Sequence, residues 1–157
     1  MKQEGLLIDE LIQLLRRGNA HISTDDALAG IPFSKINTAV NNIPYTIWDL
    51  ATHLRIAQWD IVEFCKSPHH QSPEWPSGYW PDNKATSEKQ WEQCIQKIHS
   101  DREEMISLLL EAGKNLFTPF PYGTGQSLFR EALVLADHNS YHTGEIIALR
   151  RILGIWR

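Results

Sequence analysis

Two histidines, His138 and His142, lie four residues apart in a strongly helical C-terminal stretch of this 157-residue chain. In an α-helix this spacing places both imidazoles on one face, one turn apart. The apolar row that runs from Leu128 to Leu149 passes through the same face, so the imidazoles interrupt a core-facing pattern. Such interruptions tend to mark functional sites. Two stacked imidazoles that face inward are one ligand short of a good metal site.

His53 is the candidate third ligand, and it lies on a second predicted helix. It flanks an apolar stripe that includes Leu50 and Leu54, so it can point along the interior towards the last helix. Three imidazoles would leave a metal position open for water or substrate, as in catalytic sites. Neutral imidazole suits zinc, nickel, copper and iron(II), so ligand type alone does not select the metal. A chance pair and an interfacial His53 are the competing interpretations, and spacing alone leaves them open.

Three carboxylates are candidates to accept hydrogen bonds from the outer ring nitrogens of these histidines, as metal-bound imidazoles require: Asp49, Asp137 and Glu145. Asp49 and Glu145 are also the candidate acid–base residues. The remaining histidines are interpreted as solvent-exposed, namely His21, His69, His70 and His99.

Four amphipathic segments must position these side chains. They are predicted as helices at about residues 3–17, 46–66, 86–112 and 126–153, with a short helical turn at residues 25–28. Thr46 with Asp49 fits a capping box, and Thr86 is the predicted cap of the third segment. No segment has the period of a strand. We therefore expect an all-α fold, an antiparallel four-helix bundle with long loops, in one domain over residues 1–157.

Residues 67–85 form a loop with four prolines and three large aromatic residues, Trp75, Tyr79 and Trp80. The prolines exclude a regular element, and the aromatics distinguish the loop from a flexible linker. A loop of this length in a compact domain is usually packed or functional. We expect it to form one wall of the entrance to the site.

The composition excludes some functions. The net charge of −4 provides no basic surface for nucleic acid or an anionic membrane. No apolar run is long enough for a membrane span or resembles a signal peptide. Cys65 and Cys94 have no metal-binding spacing and are interpreted as reduced and buried, so we expect a cytoplasmic protein.

Several segments together resemble the DinB-like (YfiT-like) superfamily of metal-dependent hydrolases. They are residues 46–54 and 58–61, the pair Trp80-Pro81, and residues 137–146 and 153–156. The similarity spans most of the chain in the expected order. One histidine in the second helix with a pair spaced by four in the last is a fairly specific arrangement.

The resemblance implies an up-down-down-up four-helix bundle that binds a divalent metal, zinc or nickel, through His53, His138 and His142. It also implies a homodimer. Relatives are similar to transferases and isomerases that use a low-molecular-weight thiol, such as bacillithiol, mycothiol or glutathione. The first hypothesis is therefore an enzyme whose metal activates water or a thiol against a small-molecule substrate. The alternative is a non-catalytic, metal-stabilised binding or stress-response module.

Overall fold

The computed structural model describes residues 2–156, and every regular element in that range is helical. The α-helices are α1 (Lys2–Arg17), α2 (Thr24–Leu28), α3 (Phe33–Ile36), α4 (Ile47–Lys66), α5 (Glu88–Glu111) and α6 (Leu128–Ile152). Two single turns of 3₁₀-helix lie at Ser77–Tyr79 and Gly113–Asn115. The prediction of an all-helical fold is confirmed. The short helix α3 and the turn within the aromatic-rich loop were not predicted.

Side-chain caps set the starts of the long helices. At α4 the Thr46 side chain accepts from the Asp49 backbone N–H at 3.2 Å, and the Asp49 carboxylate accepts from the Thr46 N–H at 2.7 Å. The predicted capping box is therefore confirmed. At α5 the predicted cap is wrong, because Ser87 and not Thr86 caps the helix. Thr86 instead bonds the Gln90 side chain, which moves the helix start to Glu88.

Two apolar cores lie along α4, α5 and α6. The first core contains Leu50 from the start of α4, Ile98 from the first half of α5 and Ile146 from the end of α6. The second core contains the opposite parts of these helices, including Val62, Met105 and Leu135, together with one side of α1. α4 and α5 therefore run in parallel, and α6 runs against them.

This order differs from a bundle in which every neighbouring pair is antiparallel. The chain that leaves α4 at residue 66 must return along the full helix before α5 can begin. A 20-residue helix is about 30 Å long, which is beyond the reach of a short turn. The long aromatic-rich loop makes this return and passes beside α4, where its 3₁₀ turn packs.

Candidate metal centre

The structure brings together the three histidines that the sequence analysis selected. His53 projects from α4, and His138 and His142 project from α6. One ring nitrogen of each lies within 4.8 Å of the others. The closest approach is 3.1 Å, between Nε2 of His138 and Nε2 of His53. Ligand nitrogens on a tetrahedral zinc ion lie about 3.3 Å apart, because each Zn–N bond is about 2.0 Å. The cluster is therefore close to the size that a metal ion requires.

The outer nitrogens of two of these rings have fixed partners. Nδ1 of His53 lies 2.9 Å from the carbonyl oxygen of Tyr79, and Nδ1 of His142 lies 2.6 Å from Oε2 of Glu145. A carbonyl or carboxylate oxygen only accepts, so both Nδ1 atoms carry a proton, and in the neutral form of either ring the lone pair is on Nε2. Metal-ligating histidines almost always have such an outer partner.

His138 has no such fixed partner. Within residues 2–156, its Nδ1 is buried without a hydrogen-bond partner, and so is Oδ1 of the neighbouring Asn139. A protonated Nδ1 is a hydrogen-bond donor and an amide Oδ1 is an acceptor, so the two atoms match in type. In keeping with this, the Asn139 side chain acts to raise the pKa of His138, as a hydrogen-bond acceptor does. Without a cation, His138 must share a proton with His53 across the 3.1 Å contact. A cation at the centre would instead use the lone pairs of all three rings, so the donor set fits a divalent metal.

Burial keeps the rings in the form that binds metal. Desolvation, together with the neighbouring imidazoles of His142 and His53, lowers the pKa of His138 to about 4. Desolvation is also the main cause that lowers the pKa of His53. A neutral imidazole is required for ligation, so neither ring must lose a proton to bind a metal at neutral pH.

Aromatic side chains enclose one side of the centre. The Trp80 ring stacks on the His53 imidazole, with centroids 4.2 Å apart and planes within 8°. The Tyr45 hydroxyl donates to Glu145, and this bond with burial raises the pKa of Tyr45 to about 12. Both aromatic residues also line a cavity of about 460 Å³, together with Pro44, Asp49 and Pro81. This volume is typical of sites for small molecules.

Both candidate acid–base residues already have hydrogen-bond partners. Glu145 is the outer partner of His142. Asp49 lines the cavity, but one of its oxygens is occupied by the capping box of α4. Asp137 is exposed on α6. The partner of His53 is not a carboxylate but the Tyr79 carbonyl. Sequence reasoning missed it because it belongs to a loop without periodicity.

One histidine interpreted as solvated is largely shielded from solvent. The His70 side chain is only 9% exposed, and its Nε2 lies 2.7 Å from Oδ1 of Asp60. The interpretation was wrong because the partner lies on α4, ten residues earlier in the chain, and becomes adjacent only when the loop folds back. His21, by contrast, is exposed and bonds Ser140.

Comparisons of the chain with protein-family models, with curated proteins and with solved structures find no match. In the part of the chain that the structure describes, no helix is long and apolar enough to cross a membrane.

Proposed function

We propose that this chain is a metal-dependent enzyme of the DinB-like type, in which His53, His138 and His142 bind a divalent cation, zinc or nickel. One observation carries the proposal. Three imidazoles from two helices converge within 4.8 Å, and two of them have outer partners bonded to Nδ1, so that Nε2 faces the centre. Without a cation, the facing nitrogens of His53 and His138 depend on a shared proton, whereas a divalent cation would use the lone pairs of all three rings.

The helix directions support the family assignment. α1, α4, α5 and α6 make the four long members of the proposed bundle, and the parallel pair α4 and α5 is expected of the up-down-down-up order. We extend the proposal to a homodimer, which size-exclusion chromatography with light scattering would test.

The chemistry of the proposed enzyme follows from the donor set. A divalent metal held by three imidazoles supplies a Lewis acid that lowers the pKa of a bound water or thiol. Glu145 holds the Nδ1 proton of His142, and Tyr45 donates to the same carboxylate. Trp80 covers one face of His53 and excludes water from it.

The cavity beside the centre would admit the substrate. Its five lining residues include no basic side chain, and Asp49 is the one carboxylate among them. These walls favour an uncharged, partly apolar small molecule over an acidic one. Hydrolysis of a neutral ester or amide, or transfer of an uncharged group to a thiol, is the reaction class that fits.

Metal analysis tests the proposal. The purified protein should contain close to one equivalent of zinc or nickel, measured by mass spectrometry. The His142→Ala variant should lose it, whereas His69→Ala, which removes an exposed histidine of the loop, should retain it. Equal metal content in all three proteins would refute the site. With metal present, turnover of neutral esters, amides or thiol conjugates would support an enzyme.

A second candidate is a non-catalytic module whose metal joins α4 to α6. It is favoured by burial, because His53 is 4% and His142 is 8% exposed. A bound metal that raises the melting temperature, together with no exchangeable water ligand by relaxation measurements on the cobalt or manganese form, would select this candidate.

A further inference from the structure

A partly buried carboxylate, Asp60, connects the aromatic-rich loop to α4. Asp60 accepts two hydrogen bonds from that loop: Oδ1 from His70 Nε2 at 2.7 Å and Oδ2 from the Tyr79 hydroxyl at 2.6 Å. Its side chain is 13% exposed. Burial and the bond to Asp60 raise the pKa of Tyr79 to about 12, so the hydroxyl stays protonated and donates. Hydrogen bonds to an ionised acceptor are stronger than neutral ones, so this contact defines where the loop lies.

The two bonds hold the loop at separate points. His70 lies near its beginning, and Tyr79 lies in its 3₁₀ turn. Two aromatic contacts reinforce these points: Trp59 of α4 meets the His70 ring edge-on at 5.2 Å, and Trp75 meets Tyr79 at 5.4 Å. A loop fixed at two points has few alternative positions, so the atoms between and beside them are held as well.

The parts of the loop that are held in this way include the two groups that contact His53. The Tyr79 carbonyl accepts from Nδ1 of His53, and the next residue, Trp80, stacks on its ring. His53 and Asp60 lie on the same helix, about two turns apart. The helix therefore carries both the ligand and the group that fixes its outer partner.

We infer that Asp60, with Tyr79 and His70, positions His53 for the metal that we propose above, by holding the loop carbonyl that selects the Nδ1-protonated tautomer. His142, the other proposed ligand with an outer partner, does not depend on the loop for its orientation. Glu145 lies three residues from His142 on α6, so a local contact orients that ring. Loss of the Asp60 bonds should therefore disturb His53 and leave His142 unchanged.

The experiment uses the full chain with three single variants. Asp60→Asn and Tyr79→Phe each remove a bond that holds the loop. The matched control is Tyr122→Phe, because the Tyr122 hydroxyl also bonds the backbone of α4, at Phe64 and Cys65, far along the helix from His53. Zinc affinity is measured by competition with a chromophoric chelator. The tautomers of His53 and His142 are read from ring ¹⁵N chemical shifts of the metal-free protein.

We expect zinc to bind about 10–100-fold more weakly to Asp60→Asn, as when the outer partner of a ligand is lost. Tyr79→Phe should show a smaller loss, and Tyr122→Phe none. In metal-free Asp60→Asn and Tyr79→Phe, the signals of His53 and of His138, which shares a proton with it, should move towards mixed tautomers, whereas those of His142 should not. If Asp60→Asn fails to fold, Tyr79→Phe carries the test.

Unchanged affinity and unchanged His53 tautomers in the folded variants would overturn the inference. A loss in Tyr122→Phe equal to that in Tyr79→Phe would overturn it too, because it would indicate general destabilisation. If the wild-type protein binds no metal, the proposed function fails, and the tautomer measurement still decides whether Asp60 positions His53.

Discussion

Two buried polar sites join α4 to α6, and they satisfy their hydrogen bonds differently. In the first, Gln58 donates to the Ile98 carbonyl of α5 and accepts from Asn139 at 2.9 Å. Amides offer both donors and acceptors, so within residues 2–156 protein atoms satisfy this site apart from Oδ1 of Asn139. In the second, Nε2 of His53 lies 3.1 Å from Nε2 of His138, and a single proton must serve both nitrogens. A buried site satisfied by the protein contributes to stability, whereas a site with surplus lone pairs is suited to a cation.

The substitution with the largest expected effect tests whether the histidine site, and not the amide site, binds metal. His142→Ala should weaken zinc binding by more than about 100-fold, since loss of an outer partner alone costs 10–100-fold. The measurement is chelator competition at fixed pH. Comparable zinc binding by this variant and the wild type would remove the distinction between the two sites.

The amide site should show the opposite behaviour. Gln58→Leu leaves the Asn139 amide buried without its partner, which should lower the free energy of unfolding by about 1–3 kcal/mol. Urea denaturation of the metal-free protein measures this change. Zinc affinity should stay within about threefold of the wild-type value, which is less than the 10–100-fold loss that follows removal of a ligand's outer hydrogen-bond partner. A tenfold loss of zinc would show that the two sites act as one network.

A milder change tests the outer partner of His142. Glu145→Gln keeps an acceptor oxygen but removes the charge, so zinc binding should weaken by about tenfold. Tyr45→Phe, which removes only the other bond to Glu145, is the matched control and should change affinity less. An effect in Tyr45→Phe as large as that in Glu145→Gln would indicate that the hydroxyl, not the carboxylate, sets the ligand orientation.

The smallest effect concerns helix initiation. Thr46→Ala removes the capping box at the start of α4 and should lower stability by about 1 kcal/mol. Because the cap lies two turns before His53, the metal affinity should not change. Thermal denaturation with and without zinc measures both quantities, and a zinc-specific loss would place the cap within the site.

Local patterns predicted the helices well, because caps and apolar periodicity depend on neighbouring residues. Thr46 and Asp49 are three residues apart, and the sequence shows their contact directly. The convergence of His53 with the last helix could be proposed from apolar stripes on two helices. The partly buried contact of His70 with Asp60 and the contact of the Tyr79 carbonyl with His53 could not be predicted, since both form only when an irregular loop folds back on α4.

The stack of Trp80 on His53 gives the centre an optical reporter. An indole ring 4.2 Å from the His53 imidazole will respond to any metal that this imidazole binds. Zinc has a filled d shell and no low-lying electronic states, whereas nickel has an open shell that accepts excitation energy. Nickel binding should therefore quench the emission of Trp80 more strongly than zinc binding. Because the chain has six tryptophans, the difference in emission intensity between the wild type and Trp80→Phe isolates this response and distinguishes the two metals inside the folded protein.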